Sequence, residues 1–404
     1  MDGDNFMKNL SMRAKTIAVS ATLAISTRAK KLKAEGHSVI SFGVGEPDFD
    51  TPKNIKEAAT KAINEGFTKY TPTSGTQELK SAICEKLKRD NNLDYELKNI
   101  VVSNGAKQSI FNALYAILNP GDDVLLLTPY WVSYPEMIKM CDGNTICVKP
   151  SNDLKVTIED LEKYITPSSK AIILNTPCNP TGCVYTKEEI KEIAKFVLKH
   201  DLYVISDEIY EKLIYDPEIE HFSIASLSEE MKARTILVNG VSKSYSMTGF
   251  RIGYTAAPVE ISKIMTNVQS HMTSNPNSIA QKAAYEAISG KQDSVDMMKK
   301  EFKKRRDYMV DRINNIQGLS CEKPKGAFYV MVDMREIYIK NYNGKAIDGN
   351  LFAELLLEQE KVAVVPGDSF GAPSYIRLSY ALSLEDIKKG LDRIENFIKK
   401  LGTK

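Results

Sequence analysis

The stretch VNGVSKSYSMTGFRIGY, residues 238–254, ends an apolar run with a single lysine set among small and hydroxyl-bearing side chains. The charged residues nearest to Lys243 along the chain are Arg234 and Arg251. Two interpretations follow. The stretch is either a polar loop that carries a lysine by chance, or it holds an amine in a crowded, partly desolvated place. In the second case the pKa of the amine falls and it can act as a nucleophile.

Short β-branched runs alternate with amphipathic segments on both sides of this stretch. One helical segment begins with Thr186 and Glu189 at the spacing of a capping box. Alternation of this kind predicts an α/β fold, with a mostly parallel sheet and helices on both of its faces. The predicted strands are NIVVS (99–103), DVLLL (123–127), KAIILN (170–175), LYVIS (202–206), TILVN (235–239) and IGYTAA (252–257).

The pattern changes from about residue 291. A long charged helix, VDMMKKEFKKRRDYMVDRINNI, precedes the strand candidates GAFYVMVDM and YIRLSYA, and a last helix is predicted to begin at Ser383. We therefore predict a large domain over residues 46–290 and a smaller α+β domain over 291–404. The N-terminal segment, 1–45, is expected to complete the smaller domain.

Composition excludes several classes of protein. The chain has 404 residues and a net charge of +2, with 54 basic and 52 acidic residues. This balance gives no basis for nucleic acid or an anionic membrane as a partner. The segment TIAVSATLAIS, 16–26, imitates a secretory signal, but basic residues continue after it without a convincing cleavage site. No run of residues is long and apolar enough for a membrane span.

The six cysteines do not form a disulfide framework in a chain of this length. Cys178 and Cys183 lie close together in sequence, but no further ligands complete a zinc pattern around them. We expect reduced thiols, a cytoplasmic protein and no metal site.

Polar residues follow several of the predicted strands, at the edge of the sheet where ligands of such folds bind. The turn after NIVVS places Gly105 before a helix start, which is a weak signal for phosphate binding. Asn179 lies in an NPTG turn, which is either a structural turn or an amide donor. Asp207 closes a strand, where it either caps a helix or pairs with a positive ring nitrogen.

Together these residues match the requirements of pyridoxal phosphate. That cofactor needs a phosphate cradle, a lysine to attach it and a carboxylate on its ring nitrogen. The run from Gly240 to Gly253 resembles the lysine signature of class I aminotransferases, which have the type I fold of pyridoxal-phosphate enzymes. Six further stretches resemble the same family in the same order: GEPDFDTP, KYTPTSGTQELK, PYWVSYPEM, NPTG, SDEIY and YIRLSYA. The resemblance is greatest to the prokaryotic-type aspartate aminotransferases, and it covers nearly the whole chain.

The resemblance implies roles around the cofactor ring. Lys243 would carry the cofactor on its amine and then act as the base that moves the proton. Asp207 would pair with the ring nitrogen, and Asn179 and Tyr210 would hydrogen-bond the phenolic oxygen. Trp131 would stack on the ring; the alternative is an ordinary buried aromatic residue.

The resemblance also implies a phosphate site. Gly105, Ala106, Ser242 and Arg251 would hold the phosphate, and Tyr70 would reach it from the partner subunit of a homodimer with shared active sites. The sequence departs from some family members at Gly240, where they carry a phosphate-binding serine. Ser242 or the backbone must cover that role here.

Substrate-binding positions carry over as well. Arg377 would bind the α-carboxylate in a bidentate fork, with a surface ion pair as the alternative, and Gly45 would let the backbone approach that carboxylate. Lys107 would take the distal carboxylate. Ser20 and Thr22 would close over it as part of a mobile lid.

The implied activity is transfer of the amino group of L-aspartate to 2-oxoglutarate, with these amino and 2-oxo acids as partners. Three alternatives stay open. They are an aminotransferase for prephenate or aromatic substrates, a C–S β-lyase that acts on cysteine conjugates, and a non-catalytic regulator built on the same fold.

Overall fold

The computed structural model describes residues 10–19, 21–151, 154–342 and 344–401. The helices are α1 (Met12–Lys15), α2 (Ala21–Ala34), α3 (Lys53–Asn64), α4 (Gln77–Asn91), α5 (Ala106–Ile117), α6 (Tyr134–Met140), α7 (Ile158–Leu161), α8 (Lys187–Lys199), α9 (Glu229–Lys232), α10 (Val259–Met272), α11 (Ser278–Ser289), α12 (Asp293–Asn314), α13 (Arg335–Tyr338), α14 (Gly349–Glu360) and α15 (Leu384–Leu401). The strands are β1 (Ile40–Ser41), β2 (Ile100–Ser103), β3 (Asp123–Leu127), β4 (Asn144–Val148), β5 (Ser169–Asn175), β6 (Tyr203–Asp207), β7 (Thr235–Gly240), β8 (Gly253–Ala256), β9 (Tyr329–Asp333), β10 (Asn341–Tyr342), β11 (Lys345–Ala346), β12 (Val362–Ala363), β13 (Val365–Pro366) and β14 (Tyr375–Ser379).

The central sheet has seven strands in the order β2-β8-β7-β6-β5-β3-β4. All its neighbours pair in parallel except at β8, which runs antiparallel to both β7 and β2. The predicted mostly parallel sheet is confirmed. Asp207 at the end of β6 lies opposite Asn175 of β5 and Val238 of β7. The carboxyl ends of these three strands, which precede the predicted site residues, therefore lie at one edge of the sheet.

Helices cover both faces of the sheet, as predicted. Successive residues of a strand point to opposite faces, and β3 shows this clearly. Val124 and Leu126 pack with Ile110 of α5, whereas Leu125 packs on the other face with Ile190 of α8. The predicted capping box begins α8, where Glu189 N–H donates to the hydroxyl of Thr186.

All six predicted strands of this sheet are present, with ends shifted by at most a few residues. Strand β4 was not predicted from the sequence. Among the described residues it pairs with β3 alone, as an edge strand, and it begins with an exposed Asn144 and a half-buried Thr145. An edge strand needs no continuous apolar run, and such runs were the pattern that predicted the other strands of this sheet. That pattern is absent from β4.

Residues C-terminal to α12 form a smaller antiparallel sheet in the order β13-β14-β9. The N-terminal β1 joins this half of the chain, because Ile40 pairs in parallel with Val362 of β12. The two predicted C-terminal strands are present as β9 and β14, and α15 begins after Ser383, whose hydroxyl accepts from the N–H of Asp386. The domain boundaries at residues 45 and 290 stay a prediction.

Within the part of the chain that the structure describes, no helix combines the length and the apolar character needed to cross a bilayer.

Candidate active site

A cavity of about 430 Å³ lies at the carboxyl ends of β5, β6 and β7. Its walls come from the central sheet, from α2 and α5, and from the smaller sheet. Most of the residues singled out in the sequence meet there. Those that line it are Thr22, Gly45, Ala106, Lys107, Trp131, Asn179, Asp207, Tyr210, Ser242, Lys243, Arg251 and Arg377.

Two of the predicted site residues in the described chain, Gly105 and Tyr70, do not line this cavity. Gly105 lies directly beside it, as the residue that precedes α5. Tyr70 is 91% exposed and lies outside the cavity. Ser20 falls outside the described residues.

Lys243 sits in a crowded position, which decides between the two interpretations of its sequence context. Its Nζ donates a 2.5 Å hydrogen bond to the carbonyl oxygen of Gly45. Burial lowers the pKa of Lys243 to about 8, with Arg251 and Arg377 acting in the same direction against Glu46. A larger fraction of this amine is therefore neutral near pH 7 than for a lysine in water.

Asp207 is buried at the end of β6. Its Oδ2 accepts a 2.6 Å hydrogen bond from the phenol of Tyr134, and its Oδ1 accepts a 3.2 Å bond from the N–H of Ile209. Burial raises the pKa of Asp207 to about 6. In the described chain no helix begins after Asp207, so it is not a helix cap.

A cradle for an anion forms at the start of α5. Gly105 has φ +84°, a left-handed conformation that favours glycine, and a Cβ at this position would overlap the guanidinium group of Arg251. Arg251 donates to the carbonyl oxygens of Thr248 and Asn104, at 3.0 and 3.3 Å, and no described carboxylate pairs with it. The helix start and this cation together favour a phosphate-sized anion.

Trp131 and Lys107 form one side of the cavity. The Nζ of Lys107 lies 4.9 Å from the centre of the indole ring, and Trp131 packs edge-on against Tyr134. Burial and the charge of Arg251 lower the pKa of Lys107. Trp131 is only half-buried and borders the cavity, so it is not an ordinary core residue.

Arg377 is 2% exposed. Its guanidinium group donates to Oδ1 of Asn179 at 3.0 Å and to the carbonyl oxygen of Gly43 at 3.1 Å, and it lies over the ring of Tyr329. Its Nε has no hydrogen-bond partner among the described residues, and none of them offers it a carboxylate. The surface ion pair considered in the sequence is thus excluded. A buried cation of this kind favours a carboxylate ligand.

Several other polar residues that line the same cavity were not predicted from the sequence, among them Lys30, Glu46, Tyr134, Thr248 and Tyr329. A signal existed for Lys30, because Thr22, Ser26 and Lys30 recur at the four-residue spacing of one helix face. Tyr329 donates to or accepts from the phenol of Tyr210 at 3.1 Å, and only the packing of the smaller sheet brings the two rings together.

Comparison with known proteins identifies the family. The sequence pattern described as "Aminotransferase class I and II" matches residues 37–394. The chain belongs to this family.

This aminotransferase is 48% identical over 392 residues to an aspartate aminotransferase of Bacillus sp. (strain YM-2), with 96% of the chain and 99% of the relative covered. It is 46% identical to a probable aspartate/prephenate aminotransferase of Rickettsia felis, with 96% of each covered. A crystal structure of an aspartate aminotransferase from Rhizobium meliloti superposes with a TM-score of 0.93 at 42% identity, covering 97% of this chain and 99% of that one.

Class I aminotransferases use pyridoxal 5′-phosphate, and the cavity of this aminotransferase fits such a group. The anion cradle at Gly105 and Arg251 suits a phosphate, and the buried Asp207 suits a ring nitrogen. The amine of Lys243, whose pKa is lowered by burial, lines the same space. The cavity volume is also within the usual range for cofactor sites.

Proposed function

We propose that this aminotransferase uses pyridoxal 5′-phosphate to move the amino group of L-aspartate to 2-oxoglutarate, forming oxaloacetate and glutamate. The observation that carries the proposal is the buried Arg377, a cation without a described carboxylate partner, in the cavity that also contains the amine of Lys243. The names of the relatives support the choice of aspartate.

Pyridoxal phosphate supplies an aldehyde that bonds to amines and a ring that withdraws electrons when its nitrogen is protonated. Lys243 holds the cofactor and afterwards accepts and returns the proton of the substrate Cα. Asp207, as a carboxylate, keeps the ring nitrogen protonated because the pair of opposite charges is buried. Tyr210 and Asn179 would hydrogen-bond the ring oxygen of the cofactor, and Trp131 would pack against its ring.

The substrate α-carboxylate binds Arg377. A planar guanidinium group can bind a carboxylate through two N–H donors, and hydrogen bonds to Asn179 and to the carbonyl oxygen of Gly43 already hold this one in place. Fixing the carboxylate in this way orients the Cα–H bond toward Lys243, so less orientational entropy is lost in the reaction.

The distal carboxylate binds Lys107, whose ammonium group reaches the cavity beside Trp131. Thr22 lies on α2, which forms the outer wall, and closure of this helix would exclude water from the reacting atoms. A role of Ser20 in the same lid is part of this proposal.

We also propose that the working unit is a cytoplasmic homodimer. Tyr70 is exposed, and the neighbouring helices α5 and α10 present Tyr115, Ile264 and Met272 to solvent. Exposed large apolar side chains favour a protein partner, and a second copy would bring Tyr70 toward the phosphate site. The six cysteines are free thiols, which supports a reducing compartment.

A second candidate substrate is prephenate, which is also a dicarboxylic acid. The name of the Rickettsia relative supports it, and so does Lys107, because an ammonium ion tolerates different carboxylate positions better than a guanidinium fork does. The β-lyase and the regulator have no comparable support.

Absorbance spectra of the purified protein with pyridoxal phosphate, before and after addition of L-aspartate, test this function. We expect the band of the lysine-bound cofactor to convert to that of the amine form, with release of oxaloacetate, and 2-oxoglutarate should reverse the change. Pyruvate and ammonia from cysteine would indicate a lyase, and no change with any amino acid would indicate a regulator.

A further inference from the structure

A group of buried charges lies next to the active site but outside its cavity. Glu208, Glu211 and His221 bring one ligand-type atom each within 4.8 Å of one another. Lys86 forms an ion pair with Glu211, and His221 forms one with Glu208. Two carboxylates are thus balanced by an ammonium ion and, when His221 is protonated, by an imidazolium ion. The group needs no metal ion to neutralise its charge.

Glu208 is fully buried and its carboxylate is fully hydrogen-bonded. The hydroxyls of Ser206 and Ser223 donate to Oε1, at 2.8 and 2.6 Å. The Nε2 of His221 lies 2.8 Å from Oε2. The other ring nitrogen of His221, Nδ1, is buried without a partner among the described residues, so Glu208 is the main polar contact of this ring.

Two side chains of α4 bind the carboxylate of Glu211. Lys86 contacts its Oε1, and the side-chain amide of Asn91 donates to its Oε2 at 2.9 Å. Lys86 also donates to Oδ1 of Asn91 at 2.7 Å. Because all of these side chains are buried, removal of one charge would leave the others without compensation.

The turn from residue 207 to 211 therefore has two faces. Asp207 and Tyr210 line the cavity. Glu208 follows Asp207 in the chain, and Glu211 follows Tyr210. Both glutamates contact the buried charge group and not the cavity. The backbone of the turn is tied to β7 as well, through the N–H of Glu208 and the carbonyl oxygen of Val238 at 2.9 Å.

We propose that His221 is a positioning residue for Asp207 and Tyr210, because its imidazolium ion neutralises Glu208 and so fixes the turn that presents both residues to the cofactor. The inference rests on the proposed function, since it takes Asp207 and Tyr210 as the residues that hold the cofactor ring. His221 itself does not touch the cavity.

The charged groups that face His221 are Glu208, Glu211 and Lys86. Burial acts to lower the pKa of His221, but the two carboxylates outweigh both burial and Lys86, and the pKa lies above its ordinary value. A raised pKa means that the imidazolium contributes its full stability at low pH and loses it as pH rises through the folded-state pKa. The nearby phenol of Tyr95 stays neutral because burial and the charge of Glu208 raise its pKa.

Four variants separate charge from packing. His221→Gln keeps an N–H donor but removes the positive charge, and Glu208→Gln removes the negative charge with nearly the same shape. The double variant Glu208→Gln/His221→Gln restores charge balance with an amide pair. His200→Gln is the matched control, because His200 makes the same kind of pair with Glu162 near the surface.

Affinity for pyridoxal phosphate is measured by equilibrium dialysis of the apoprotein, and the pKa of His221 by NMR of labelled histidine, of which the chain has four. We expect His221→Gln to weaken affinity about 10–100-fold, as removal of a supporting partner does in metal sites. The double variant should recover most of this loss, and His200→Gln should match wild type. In Glu208→Gln the pKa of His221 should fall.

A double variant that binds the cofactor no better than His221→Gln would overturn the proposal, as would wild-type affinity in His221→Gln. If His221→Gln does not fold, the double variant decides: recovered folding and binding support charge balance, and failure of both contradicts it. If wild type itself does not bind pyridoxal phosphate, the proposed function fails. If wild type and His221→Gln bind it equally, only this inference fails.

Discussion

The phenol of Tyr134 donates a 2.6 Å hydrogen bond to Oδ2 of the buried Asp207. This bond stabilises the charged form of the carboxylate, in opposition to burial, which raises the pKa of Asp207 to about 6. The charge of Asp207 is thus set by two opposing effects, the hydrogen bond from Tyr134 and burial. Binding of the cofactor ring nitrogen requires the charged carboxylate.

Affinity for the cofactor should fall as pH drops below about 6. Asp207 becomes protonated there in the apoprotein and can no longer pair with a positive ring nitrogen, so affinity is lost by up to about tenfold per pH unit. Equilibrium dialysis of pyridoxal phosphate against apoprotein at a series of pH values measures this. An affinity that stays constant from pH 7 to 5 would show that Asp207 does not carry the interaction.

Tyr134→Phe should move this loss of affinity to higher pH. A charge-assisted hydrogen bond contributes about 1.5–3 kcal/mol, which corresponds to a rise of roughly one to two units in the pKa of Asp207. Tyr185→Phe is the control, because it removes another buried phenol, one that donates to the backbone carbonyl of Val156 and not to the carboxylate of Asp207. A pH profile that is identical in both variants would contradict the prediction.

Asp207→Ala should reduce turnover on the order of 10²-fold or more, the usual effect of removing a group that stabilises charge in the transition state. The cofactor should still attach to Lys243, which the absorbance spectrum reports. Near-normal turnover in this variant would exclude Asp207 from the chemistry.

Lys107→Ala should raise the KM for aspartate strongly and leave that for alanine nearly unchanged, since alanine lacks the distal carboxylate. The difference should be about 1.5–3 kcal/mol, the contribution of one charge-assisted hydrogen bond. An equal rise in KM for both substrates would mean that Lys107 contributes to the phosphate site or to the stability of the fold.

Tyr70 should act across a dimer interface. Co-expression of a Tyr70→Phe chain with a Lys243→Ala chain should give heterodimers with one complete site, and so more activity than either homodimer. The alternative is an active monomer. If sedimentation shows a monomer at the concentration at which the enzyme is fully active, Tyr70 does not act across an interface.

The sequence predicted the strands that lie between two layers of helices, because burial on both faces demands continuous apolar runs such as DVLLL. It did not predict β4, whose edge position removes that demand. In the site, Lys243 and Arg377 stand out because each is a lone cation in an apolar or small-residue setting. Tyr134 and Tyr329 do not stand out, since a tyrosine in an apolar segment looks the same whether its hydroxyl meets a carboxylate or a backbone oxygen.

The buried charges at Glu208, Glu211 and His221 were equally hidden. Glu208 and Glu211 come from the turn after β6, His221 from the loop that precedes Ser223, and their partner Lys86 from α4, so only the folded chain brings them together. Local sequence records none of these long-range pairings.

Reduction with borohydride in the presence of pyridoxal phosphate shows which lysine carries the cofactor. The reagent fixes the cofactor to the amine that holds it, and peptide mass spectrometry locates the label. We predict that Lys243 is the single labelled lysine and that Lys243→Ala carries no label. This variant should also have a turnover about 10²–10⁴-fold lower, because it lacks the base that transfers the proton. Label on Lys107 or any other lysine, with Lys243 unmodified, would show that Lys243 does not carry the cofactor.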